Sequence, residues 1–85
     1  MNNLNSDNFQ VSTQLDCCGH LCPVPILMTE EKIGELKKGA VLEVAFTDPG
    51  AVPDLTAWCR ATGQELLGFK KVSPTRFAYI RKKND

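Results

Sequence analysis

The chain has 85 residues, enough for one hydrophobic core, and it is 42% hydrophobic and 24% charged, the composition of a globular domain with a solvated surface. Ten Lys and Arg balance ten Asp and Glu, so the formal net charge is +0; the broad basic surface behind sequence-independent nucleic-acid binding is missing, and no direct nucleic-acid binding is expected. No apolar run approaches the roughly 20 residues that cross a bilayer, and the N-terminal segment has neither a basic leader nor an apolar core, so the expected location is the cytoplasm, away from membranes and with reduced thiols.

Residues 1–10 are rich in Asn, Ser and Asp, which predicts a flexible tail ahead of a single domain over 11–83. Val11, Thr13, Leu15 and Cys17 then alternate with Ser12, Gln14, Asp16 and Cys18, the period of a half-buried strand, with Cys17 facing inward and Cys18 outward. Pro23 suits the first position of a helix, where its missing N–H costs nothing, and it pushes Cys22 out of the α region. A helix is therefore expected directly after Cys22, with Ile26, Ile33 and Leu36 on one stripe, Leu27 beside it and Gly39 as its stop.

A second strand is expected over 40–47, with Leu42, Val44 and Phe46 on one face. Thr47-Asp48-Pro49-Gly50 reads as a turn, and the helix after it accepts Pro53 only in its first turn. Leu55, Trp58, Cys59 and Thr62 fall at helical spacing, and Gly63 ends that helix. Strands over 65–72 and 76–82 surround Ser73-Pro74-Thr75, a hairpin connection, and the basic run Arg81-Lys82-Lys83 reads as a solvated terminus. The order β-α-β-α-β-β predicts an α+β fold: a two-layer sandwich with a mixed four-stranded sheet and both helices on one face.

This order places the run Cys17-Cys18-Gly19-His20-Leu21-Cys22-Pro23 between first strand and first helix. A helix start offers unpaired N–H groups and the positive end of the macrodipole, a setting that favours a thiolate and lowers the pKa of a cysteine such as Cys22. The bland alternative is a small residue that merely begins a helix. Metal binding by Cys17, Cys18, His20 and Cys22 is the rival chemistry, but structural zinc sites pair two knuckles and only one cluster exists, so no metal is expected. No Cys-x-x-Cys spacing is present, and Cys59, beside Trp58 on an apolar stripe, reads as a buried hydrophobe. His20 is either an exposed loop imidazole or a cationic neighbour of the Cys22 sulfur.

The pattern Leu15-Asp16-Cys17-x-Gly19-x-x-Cys22-Pro23-x-Pro25, followed by Thr47-Asp48-Pro49, Asp54-Leu55, Trp58-Cys59 and Gly63-x-Glu65-Leu66-Leu67, resembles the TusA-like (SirA-like) sulfur-carrier family over nearly the whole chain from Val11 to Lys82. The resemblance implies the same β-α-β-α-β-β sandwich and a carrier in which Cys22 accepts sulfane sulfur as a persulfide. It implies relays in tRNA thiolation, molybdenum-cofactor sulfur supply or dissimilatory sulfur oxidation. The implied partners are a sulfur-donor protein, such as a cysteine desulfurase or a rhodanese-like protein, and a cysteine-bearing acceptor; no cofactor is implied.

By the same resemblance Asp16 and Gly19 shape the loop, Pro23 and Pro25 set the start of the helix, and Asp48 and Asp54 belong to the facing loop and helix, with no need to touch the sulfur. Leu21 and Pro53 stand where family members often carry basic or polar residues, so positive charge is removed around Cys22. The alternative function is a non-catalytic regulatory or protein-interaction module with the same fold.

Overall fold

The computed structural model describes residues 9–84. The elements are β1 (Thr13–Asp16), α1 (Val24–Gly34), β2 (Val41–Phe46), α2 (Ala51–Thr62), β3 (Glu65–Val72) and β4 (Thr75–Arg81), in the expected order. They form a four-stranded sheet of order β1-β2-β4-β3, in which β1 runs parallel to β2 while β4 is antiparallel to both β2 and β3. The mixed sheet and the two helices make the expected α+β sandwich. No helix among the described residues is long and apolar enough to cross a membrane.

Strand alternation decides which face meets the helices. Leu42 and Val44 of β2 stand opposite Ile80 and Ala78 of β4, all buried, and Leu15 lies beside Val44. Phe46, Ile33 of α1, and Ala51, Leu55 and Cys59 of α2 complete this core, which Cys17 joins from the end of β1 as its parity predicts. Phe69 on β3 meets Phe46 edge-on, with ring centroids 6.3 Å apart. On the opposite face Glu43 accepts hydrogen bonds from Gln14 Nε2 and the Tyr79 hydroxyl, both at 2.8 Å.

Several local expectations are corrected. Helix α1 begins at Val24, because Pro23 is itself the cap residue, with φ −97° and ψ 15°, and Pro25 lies within the first turn. Its buried line is Pro25, Thr29 and Ile33, whereas Leu27 is 58% exposed. At about 100° per residue Leu27 sits on the side of the helix away from Pro25, so hydrophobicity alone misplaced it. In α2 the buried line is Ala51, Leu55 and Cys59; Thr62 is exposed and donates its hydroxyl to the Trp58 carbonyl. Gly63 does end this helix, with φ +81° and its N–H on the Cys59 carbonyl.

The basic end of the chain also departs from expectation. Lys82 is only 4% exposed and donates its Nζ to the Leu36 carbonyl, while Arg81 pairs with Glu65 at 3.0 Å. The first eight residues of the expected tail lie outside the described residues, and Phe9 places its ring against Tyr79 with centroids 5.4 Å apart.

Candidate functional site

Because β1 and β2 are parallel neighbours, their C-terminal ends lie side by side, and the loops that follow them meet. Thr47 and Asp48, just past β2, hold the loop past β1: the Gly19 N–H donates to Thr47 Oγ1 at 2.9 Å and the Cys22 N–H to Asp48 Oδ2 at 2.9 Å. The other oxygen of Asp48 accepts the Gly50 N–H at 3.0 Å, so one carboxylate ties the first loop to the start of α2. Asp16 accepts the Cys18 N–H at 2.9 Å and closes the turn in which Gly19 takes φ +84°, a conformation that suits glycine.

The Cys22 side chain is half-buried and leans on the core from this junction. Its sulfur faces Gly50, where a Cβ would stand 3.7 Å away, so a residue that the sequence marked only as part of a turn shapes the site. The carboxylates of Asp54 and Asp48 are the charged groups that act on the thiol. Burial, then these two carboxylates, push the thiol up from 9.0 to about 11.

This overturns the lowered pKa expected of a cysteine at a helix start, and the hydrogen bonds explain why. In α1 the Val24 N–H already donates to the Leu21 carbonyl, Ile26 and Leu27 donate to Pro23, and Pro23 and Pro25 have no N–H. At α2 the Gly50 N–H is on Asp48 Oδ1, Ala51 donates to the Asp48 carbonyl and Val52 to the Pro49 carbonyl. The amides that would hold a thiolate are engaged, and the charges facing the sulfur are negative. Asp48 and Asp54, which the resemblance does not require at the sulfur, both bear on its ionisation.

The remaining candidates sort by position. Cys18 is exposed, and its thiol interacts with Asp16 and with Thr75 at the hairpin; burial and Asp16 raise its pKa, although the Thr75 hydroxyl acts the other way. His20 is exposed and helps to hold Asp16 low, after the hydrogen bonds from Cys18; it is not among the groups acting on Cys22. Pro23 is exposed, whereas Pro25 is buried. Hydrogen bonds from the Cys22 and Gly50 amides hold Asp48 below the usual carboxylate range. Burial pushes the Cys17 and Cys59 thiols up to about 11, and all four cysteines are free. Among the described residues no group of three His, Cys, Asp or Glu is placed to hold a metal ion.

The family model described as "Sulfurtransferase TusA" matches residues 13–82, which takes in both loops, both helices and all four strands. The chain belongs to the TusA family. It is 35% identical over 79 residues to the Sulfur carrier protein TusA of Pseudomonas syringae pv. syringae (strain B728a), covering 93% of this chain and 94% of that one. The Sulfur carrier protein TusA of Pseudomonas entomophila (strain L48) is 41% identical over 71 residues, covering 84% and 89%. Two longer curated relatives, from Aquifex aeolicus and Bacillus subtilis, match this TusA-family chain over 40% and 37% of their own length. In fold it is similar to the SirA-like protein from Desulfitobacterium hafniense, with a TM-score of 0.74 and 19% identity over 85% of this chain and 99% of that one.

Thr47, Gly50 and Thr75 are the members of the site that sequence reasoning passed over. Thr47 and Gly50 were visible as parts of a turn, but their contacts with the first loop depend on the parallel pairing of β1 and β2.

Proposed function

We propose that this protein is a sulfur carrier in which Cys22 accepts sulfane sulfur as a persulfide and passes it to a cysteine of an acceptor protein. The observation that carries the reading is the placement of the Cys-Pro-x-Pro cysteine. It is half-exposed at the joined ends of β1 and β2, with its backbone pinned by Asp48, in a chain whose relatives are named sulfur carrier proteins. Cys17 and Cys59 are sealed in the core, and Cys18 lies toward the hairpin.

In the loading step the Cys22 thiolate attacks the outer sulfur of a donor persulfide. The donor sulfur–sulfur bond breaks, Cys22–S–SH forms and the donor leaves as a thiolate. In the delivery step an acceptor thiolate attacks the outer sulfur on Cys22 and the Cys22 thiolate leaves, so no cofactor and no net redox change enter. Asp48 holds the cysteine in place, Asp16 and Gly19 shape the loop, and Pro23 and Pro25 stiffen the start of α1. The donor is a cysteine desulfurase or rhodanese-like protein, and the relay serves tRNA thiolation, molybdenum-cofactor sulfur supply or sulfur oxidation.

The raised Cys22 thiol favours a second reading, an interaction module in which this cysteine is structural. Intact-protein mass spectrometry without reductant, after incubation with a cysteine desulfurase and cysteine, separates the two. A gain of one sulfur atom that dithiothreitol removes and Cys22→Ser lacks is the expected result. Uptake that persists in Cys22→Ser, or no uptake at all, would leave the interaction module standing.

A further inference from the structure

The charge around the proposed sulfur-bearing residue is one-sided. From the turn after β2 Asp48 accepts the Cys22 N–H at 2.9 Å and lies with the sulfur against Gly50, and from α2 Asp54 is the second carboxylate acting on the thiol; among the described residues no cation is a source of its shift. His20, the nearest candidate cation in sequence, acts on Asp16 instead. Neither Asp48 nor Asp54 forms an ion pair among the described residues: the pairs there are Lys32–Glu35 and Arg81–Glu65. Exposed apolar side chains flank Cys22 along the chain. Leu21 is 73% exposed, Val24 38% and Leu27 58%, all around the start of α1.

We propose that the partner that exchanges sulfur with Cys22 docks through a cationic surface. It presents an arginine or lysine to the Asp48–Asp54 pair and apolar side chains to Leu21, Val24 and Leu27, and Cys22 becomes strongly nucleophilic in that contact. The inference rests on the sulfur-carrier reading and adds the chemistry of the partner to it. Ionising Cys22 in the free protein brings a third negative charge beside two carboxylates, and the helix-start amides that would offset it already have acceptors. A docked cation removes that repulsion, and burying the apolar collar excludes water and strengthens the attraction. The free carrier is thereby kept quiet toward small electrophiles, and the same charges steer the right partner and repel an acidic one.

The test uses thiol exchange, which does not depend on sulfur loading. Two peptides share an apolar frame and differ only in an Arg or a Glu beside their single cysteine, each supplied as the mixed disulfide with thionitrobenzoate. The Cys22 thiol gives up its proton and attacks the peptide sulfur, the peptide–thionitrobenzoate bond breaks, and the coloured thionitrobenzoate leaves. A Cys18→Ser background restricts the reaction to Cys22, because Cys17 and Cys59 are buried.

The Arg peptide is expected to react about tenfold faster than the Glu peptide at neutral pH, with the gap narrowing to about threefold or less in Asp54→Asn and at about 0.5 M salt. Equal rates in the parent protein would overturn the proposal, as would a gap that neither Asp54→Asn nor salt reduces. The salt comparison needs no variant at the acidic pair. Charge selectivity without persulfide uptake would defeat the sulfur-carrier reading alone; uptake without charge selectivity would defeat this inference alone.

Discussion

Thr29 sits in the middle of α1 with its side chain fully buried, and its Oγ1 has no hydrogen-bond partner among the described residues. A hydroxyl taken out of water without a partner costs more than the methyl that would replace it. Thr29→Val keeps the branched shape and removes the orphan oxygen, so it is expected to stabilise the protein by about 1 kcal/mol. A higher midpoint of urea unfolding at unchanged slope is the sign to look for; a lower midpoint would mean that the hydroxyl has a partner after all.

Cys22 teaches the opposite lesson at the same scale. Its candidacy was legible, because Cys-Pro-x-Pro at a strand-to-helix junction is a local pattern, but its ionisation was not. Asp48 is 26 residues away and Asp54 further still, and only the fold brings their carboxylates to the sulfur.

At the scale of elements, the end of α1 is held by the end of β4. Lys82 crosses from beyond that strand to donate its Nζ to the Leu36 carbonyl at 2.6 Å, and its backbone joins Gly39 and Ala40 through hydrogen bonds of 2.8 and 2.9 Å. A cation at the carboxyl end of a helix also meets the negative end of its dipole. Lys82→Met fills similar space but leaves the carbonyl without its charged donor, and is expected to cost about 1.5–3 kcal/mol in urea unfolding. A change within about 0.5 kcal/mol, normal for a surface position, would restore the solvated-terminus reading.

The sequence pointed to that reading because a basic run at a chain end is usually solvated. The helices and strands themselves were easier to read. The limits of β3 were as expected and α2 ended at Gly63, because turn residues and hydrophobic period act locally. The buried line of α1 was less accessible, since the choice between Thr29 and Leu27 depends on which side of the helix lies on the sheet.

For the molecule as a whole, three thiols couple folding to pH. Burial raises Cys17 and Cys59, and burial with two carboxylates raises Cys22, each from 9.0 to about 11. An unfolded chain releases these protons from about pH 9, while the folded chain retains them to about pH 11. Ionisation therefore favours the unfolded state in that window. Stability contributed by the three groups is complete below pH 9 and is lost as the pH rises through 11. Urea midpoints in reductant should fall between about pH 8 and pH 10.5. Replacing Cys59 by Ala should make that fall shallower, although the cavity lowers stability throughout; a midpoint independent of pH would contradict the burial of these thiols.

The sequence by itself determined the order of the elements, the class of sandwich and the cysteine to watch, because periodicity, turn chemistry and a compact motif are properties of neighbouring residues. Tertiary structure alone decided that β4 inserts between β2 and β3, that Lys82 is buried, and that two carboxylates and Gly50 surround the Cys22 sulfur. The physical reason is range: strand pairing, burial and electrostatic environment are set by groups far apart along the chain, and they exist only once the sheet has brought its parallel ends together.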